Sequence, residues 1–255
     1  MFQGYLTAMM DLAGSLSVIC LLSLAYGSVR RRLPGVTLAP QLLGALFGFV
    51  AVLQMHTPIS PVPGMIIDLR VVPIVLAGAF LGGRGVLICL MIAVAGRAAI
   101  GGVGVSSGIV SMMLAGGAGL AWDRMTTGPK RRGGWTMAAL VAMTSVNFVA
   151  VVMLPYELMM WFLTWAFAPL LATYAVTIPL VGTLLERERV LMASEARLRA
   201  AAQADPETGF PSRATLETQL SQALANGLFD RGVAVLRMTF KPGLAQASFW
   251  GDDVE

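Results

Sequence analysis

Long uncharged apolar runs alternate along this chain with short charged or glycine-rich interruptions. The runs fall at residues 6–29, 38–54, 71–95, 105–122, 135–154 and 158–185. Most are close to the ~20 residues that a helix needs to cross hydrocarbon. Beyond residue 185 the pattern changes to a charged helix over 186–203. An amphipathic helix ending near Leu224 and a strand-like run over 233–240 follow it. The pattern predicts an all-α polytopic membrane helical bundle of six to seven helices, with a small partial α/β cytosolic tail.

The third run needs closer reading, because the charges on either side of it set a parity condition. Basic clusters occur at Arg30-Arg31-Arg32, at Lys130-Arg131-Arg132 and from Arg187 onward. Cationic loops stay on the cytosolic side. With the N-terminus outside and a single crossing over 71–95, Lys130–Arg132 would fall on the wrong side. The conflict disappears if Gly82-Gly83-Arg84-Gly85 is a turn, since glycine reaches backbone angles closed to other residues. The run then splits into a short descending helix, 71–81, and an ascending one, 86–99. At ~1.5 Å per residue the first is too short to span the hydrocarbon, so it must be shielded by protein or border a cavity. Short or broken helices of this kind often mark binding sites.

Composition agrees: the 255 residues are 56% hydrophobic and 13% charged, with a mean hydropathy of +0.74. Soluble domains hold ~45–50% apolar and ~25% charged residues. The net charge of +4 sits at span ends, where it sets orientation and contacts membrane lipids, and no basic stripe interleaved with aromatics suggests nucleic acid. Cys20 and Cys89 lie inside apolar runs and read as small packing residues. The first run has no basic segment before it and is expected to be retained.

The same parity puts His56, Asp68, Arg70, Arg97 and Glu157 on the outer side, above the short helix. Charges near hydrocarbon are functional candidates by default. Asp68, Arg70, Arg97, His56 and Pro73 are therefore the candidate ligand-binding residues, with Arg97 as an anion contact. The competing reading is that these charges pin helix ends at the interface. His56 has no cysteine or serine partner placed by sequence, so no catalytic residue, metal or cofactor is expected. Gly101-Gly-Val-Gly104 and Ala115-Gly-Gly-Ala-Gly119 read as surfaces for close helix packing. Tyr156, Trp161 and Trp165 read as interfacial aromatic anchors.

Residues 58–64, Asp68-x-Arg70, Pro73-Ile-x-Leu-Ala-Gly78, Gly82, Arg97 and Gly101-Gly102 resemble the five-transmembrane receptor domain of the LytS and YhcK type. That resemblance implies the sensory part of a bacterial histidine kinase or diguanylate cyclase. The same region is also similar to the substrate-capture subunits of vitamin transporters, so a solute-binding or transport subunit is the rival from another class.

In the tail, Asp205, Thr208, Gly209 and Arg213 resemble the opening of a GGDEF diguanylate cyclase domain, with Glu207 and Ser212 departing from its pattern. Cyclase chemistry needs carboxylates at the end of the first strand to hold metal ions. The corresponding residues here are Leu236-Arg-Met-Thr-Phe240, so an inactive, truncated output is expected and no enzyme.

The domains expected are an additional transmembrane helix over 1–29, the sensor over 30–185, a juxtamembrane signalling helix over 186–204 and the GGDEF-like segment over 205–255. Leu184, Leu191 and Leu198 form one strip of a heptad on the signalling helix, with Glu188 and Glu195 as weak companions. It suits either a homodimer seam or a solvated helix. The function expected is an inner-membrane sensor, N-terminus outside and C-terminus cytoplasmic, that perceives a small ligand, an anion being the candidate class, or a membrane state.

Overall fold

The structure is a computed structural model, and it describes residues 2–33, 38–56, 69–102, 104–128, 132–203 and 213–225. Helices α1 (Phe2–Arg32), α2 (Ala39–His56), α3 (Val71–Ile100), α4 (Val105–Met125) and α5 (Gly134–Thr144) come first. A 3₁₀ helix (Ser145–Met153), α6 (Tyr156–Trp161), a π turn (Phe162–Ala166), α7 (Phe167–Gln203) and α8 (Arg213–Ala225) complete the order. Among the described residues there is no strand, and the strand expected over 233–240 lies outside them. Among the described residues, five helices are long and apolar enough to cross a membrane: Ala39–His56, Val71–Ile100, Val105–Met125, Gly134–Met153 and Tyr156–Leu198. The chain is a multi-pass membrane protein. It forms two compact units, Met1–Glu195 and Ala196–Glu255; α8, in the second, lies where a helix is expected before Leu224, without a distinct apolar face.

The centre of the first unit is α3. Gly82 interrupts it with φ 71° and ψ −174°, a conformation that glycine adopts without steric cost. Residues 71–81 form a first limb and 83–100 a second, and the neighbouring helices show that the limbs run in opposite directions. Along α2, Gly44 packs on Gly85, Gly48 on Cys89 and Val52 on Gly96, so α2 and the second limb are parallel. Along α4, Gly108 faces Arg97 while Gly116 faces Leu90 and Val86, so α4 and the second limb are antiparallel. The first limb follows α4 in parallel, from Arg70 beside Gly108 to Phe80 beside Trp122. The reversal expected at the Gly-Gly-Arg-Gly sequence is present.

Every residue from Val71 to Leu81 is buried. A limb of eleven residues extends only ~16 Å, so its unmatched ends cannot face lipid, and neighbouring helices enclose it. Small residues make that enclosure possible. A β-carbon on Gly119 would collide with the Val75 carbonyl, and one on Gly78 with the backbone of Gly116 and Leu120. The expectation of close packing holds for Gly116 and Gly119 but not for Gly117. It does not hold for Gly101 and Gly102, where a β-carbon would meet nothing within 4 Å; there, positive φ values of 74° and 96° turn the chain out of α3.

Two further passes depart from a uniform α-helix. Thr144 and Ser145 donate their hydroxyls to the carbonyls of Leu140 and Val141. Such back-bonding weakens and bends helices, and α5 becomes 3₁₀ at this point. In the last pass, the π turn at Phe162–Ala166 precedes Pro169, which has no N–H for the Trp165 carbonyl and whose ring would crowd it. The wider turn relieves that conflict. From there α7 continues without interruption from the apolar run into the charged helix, as far as Gln203.

Candidate functional site

Arg70 lies at the start of the first limb of α3, and Arg97 in the last turn of the second. The reversal brings both to one end of the bundle. Arg97 is held by the helix terminus itself: its carbonyl accepts from the Gly101 N–H at 3.2 Å, and its guanidinium donates back to the Gly101 carbonyl at 3.2 Å. The left-handed turn at Gly101 makes this reciprocal arrangement possible. Both guanidiniums converge on Gly108 of α4, where a β-carbon would lie 2.9 Å from Arg97 Nε and 3.3 Å from Arg70 Nη2. Glycine leaves room there for the two cationic groups.

They open onto a cavity of about 480 Å³. Its wall combines Arg70 and Arg97 with Ser107, Gly108 and Ser111 of α4, Asn147, Phe148 and Val151 of the 3₁₀ helix, and Phe162, Leu170 and Tyr174 of the last pass. Both irregular segments therefore border it. Ser107 donates to the Ala150 carbonyl at 2.8 Å, tying α4 to the 3₁₀ helix. Asn147 is 3% exposed, and its Nδ2 has no hydrogen-bond partner. A buried amide nitrogen left in that state costs ~1–3 kcal/mol. Phe148 stacks on Tyr174 with centroids 5.8 Å apart and meets Phe167 edge-on at 4.9 Å, forming an aromatic floor.

Of the residues singled out from sequence, Arg70 and Arg97 are brought together. Pro73 is buried in the first limb, outside the cavity lining. His56 is exposed, with Nδ1 3.0 Å from the Val52 carbonyl of its own helix, and does not line the cavity. Asp68 lies outside the described residues. Glu157, Tyr156 and Trp165 are exposed. Sequence reading missed Asn147, Ser107, Tyr174 and the aromatic floor. The one signal that could have found Asn147 is an amide in the middle of an otherwise apolar pass.

The opposite end holds a buried cation. Arg132 has 3% of its side chain exposed and is ion-paired with Asp123. It stacks over Trp122 at 4.5 Å and Phe80 at 5.6 Å, and donates to the Ala79 carbonyl at 3.1 Å. Its backbone N–H donates to Glu186 Oε1 at 3.2 Å, and Glu186 is also paired with Arg189. From sequence, Arg132 was only one member of an orientation cluster. The acidic residues expected to weaken a heptad seam have another use as well: Glu188 and Glu195 both face Arg31 of α1, at 2.8 and 4.0 Å. No group of three or more histidine, cysteine or acidic residues able to hold a metal occurs among the described residues.

No curated protein and no solved structure matches the chain. Residues 36–188 match the family model 5TM-5TMR_LYT, described as 5TMR of 5TMR-LYT. That span contains the broken helix, the arginine-lined cavity and the Arg132 cluster, and the chain belongs to this family of five-transmembrane receptors, whose domain is sensory.

Proposed function

We propose that the chain is a bacterial inner-membrane sensor whose cavity takes up a small organic anion from the outer side. The observation that carries this reading is the convergence of Arg70 and Arg97 on Gly108, next to the unpartnered Asn147 amide. Two guanidiniums directed to one point suit an anion, because charge-assisted hydrogen bonds from arginine to a carboxylate or phosphate are stronger than neutral ones. Asn147 Nδ2 supplies a donor for a second oxygen, and the aromatic floor accepts an apolar body. Orientation follows from charge: Arg30 to Arg32, Arg84 and Arg124 lie away from the cavity, the sequence adds Lys130 and Arg131 to the basic cluster after Arg124, and such clusters belong in the cytosol.

Binding would favour one arrangement of the α3 limbs, and the shift would pass through α7 to the cytosolic segment. The Asp205, Thr208, Gly209 and Arg213 resemblance supports a GGDEF-like output, and the missing carboxylates over 236–240 support an inactive one. Leu191 and Leu198 are 48% and 69% exposed, which supports a homodimer along the juxtamembrane helix.

The test is thermal stabilisation of the purified protein in nanodiscs by a panel of small carboxylates, phosphate and sulfate. At least one is expected to raise the midpoint in the wild type and to lose that effect in Arg70→Ala and Arg97→Ala. A response to the panel unchanged in both variants overturns the assignment.

A further inference from the structure

We propose that Arg132 is the positioning residue that couples the short limb of α3 to the output helix α7. This rests on the sensor reading for its purpose, but its geometry is independent of any ligand. Gly82 breaks the hydrogen-bond ladder of α3, so the last carbonyls of the first limb lose their intrahelical donors. The Arg132 guanidinium takes the place of one donor by bonding the Ala79 carbonyl at 3.1 Å. A cation also suits the negative end of a helix dipole.

The same residue holds α7 from its other side, through its backbone N–H and the Glu186 carboxylate at 3.2 Å. Glu186 is 1% exposed, so it cannot turn to water when Arg132 moves. The guanidinium lies over the Trp122 and Phe80 rings and is paired with Asp123, and cation–π contacts of this kind strengthen when desolvated. Arg132 thus touches the first limb, α4 and α7 simultaneously. The far end of that limb is Arg70, at the cavity. One rigid element ~16 Å long joins the two sites, and a displacement imposed at Arg70 must be transmitted to Ala79, Arg132 and Glu186.

The experiment replaces the ligand with a mechanical wedge. Gly108→Trp forces the Arg70 and Arg97 side chains apart at the cavity, and hydrogen exchange of full-length protein in nanodiscs reads the amides of 183–189 on α7. Arg132→Lys is the companion variant: it keeps the buried charge beside Asp123 but lacks the forked geometry that reaches Ala79 as well. The wedge is expected to change exchange at 183–189 by about tenfold, the size of one lost charged hydrogen bond. In the Arg132→Lys background that change should vanish, while the change around 104–111 remains. A response at 183–189 that survives Arg132→Lys overturns the proposal, as does its absence in the wild-type background. If Gly108→Trp does not fold, Arg70→Ala supplies the perturbation with the same two criteria. Because no ligand is used, failure here is separate from failure of the anion-binding reading.

Discussion

The two ends of this bundle both hold arginines between helices, yet they do so in opposite ways. At the Arg132 end the guanidinium lies over two aromatic rings, and its nitrogens reach Asp123 and the Ala79 carbonyl. At the cavity end Arg70 and Arg97 converge on a glycine that leaves space beside them, with the Asn147 amide nitrogen unpartnered nearby. The first arrangement is closed and structural. The second is polar and borders the cavity. A cation held between helices is therefore not structural by its position alone; what surrounds it decides.

The strongest way to break this comparison is to remove the closed cation. Arg132→Ala leaves the Ala79 carbonyl without its partner, which costs ~1–3 kcal/mol for a buried polar group, and removes the partly buried pair with Asp123 and two cation–π contacts as well. A large fall in the unfolding midpoint in detergent is expected; a midpoint near wild type would mean that the cluster is not structural. Next is the limb itself. Gly78→Val drives side-chain carbons into the Gly116 and Leu120 backbone, and overpacking of this sort costs ~1–3 kcal/mol. The unfolding midpoint measures it, and a neutral result would show that the first limb of α3 is not tightly enclosed.

The cavity end should respond more weakly in stability. Arg97→Ala removes a half-buried side chain and its bond to the Gly101 carbonyl, so a fall in stability smaller than that of Arg132→Ala is expected while anion binding falls about tenfold, the worth of ~1.4 kcal/mol. Titration calorimetry and the unfolding midpoint together check it, and destabilisation comparable to that of Arg132→Ala would erase the distinction between the two ends. The smallest effect belongs to Arg31→Ala at the half-exposed pair with Glu188. Exposed ion pairs contribute ~0–1 kcal/mol, so a double-mutant cycle with Glu188→Ala should give a coupling in that range. A larger value would make α1 part of the coupling route.

Much of the architecture was readable in advance. The reversal at Gly82 followed from two independent constraints, the parity of the basic clusters and a glycine-rich interruption, and it carried with it the meeting of Arg70 and Arg97. Other features had no such signature. A 3₁₀ stretch and a π turn do not alter hydropathy periodicity, so the wall that Asn147, Phe148 and Phe162 contribute stayed hidden inside ordinary apolar runs. Pro169 hinted at the π turn, though proline in a membrane helix is common enough to be read as a simple kink. Arg132 looked like an orientation signal because its contacts to Ala79 and Glu186 are 53 and 54 residues away.

The amino-acid sequence by itself determined what depends on local chemistry and on lipid as solvent: the apolar passes, the glycine break, the placement of basic clusters and the membership of a receptor family. The tertiary structure alone decided which charges are enclosed and which border a cavity. Transfer into hydrocarbon is summed residue by residue along a run, whereas the environment of a guanidinium is set by groups that meet it from three or four helices far apart in the chain.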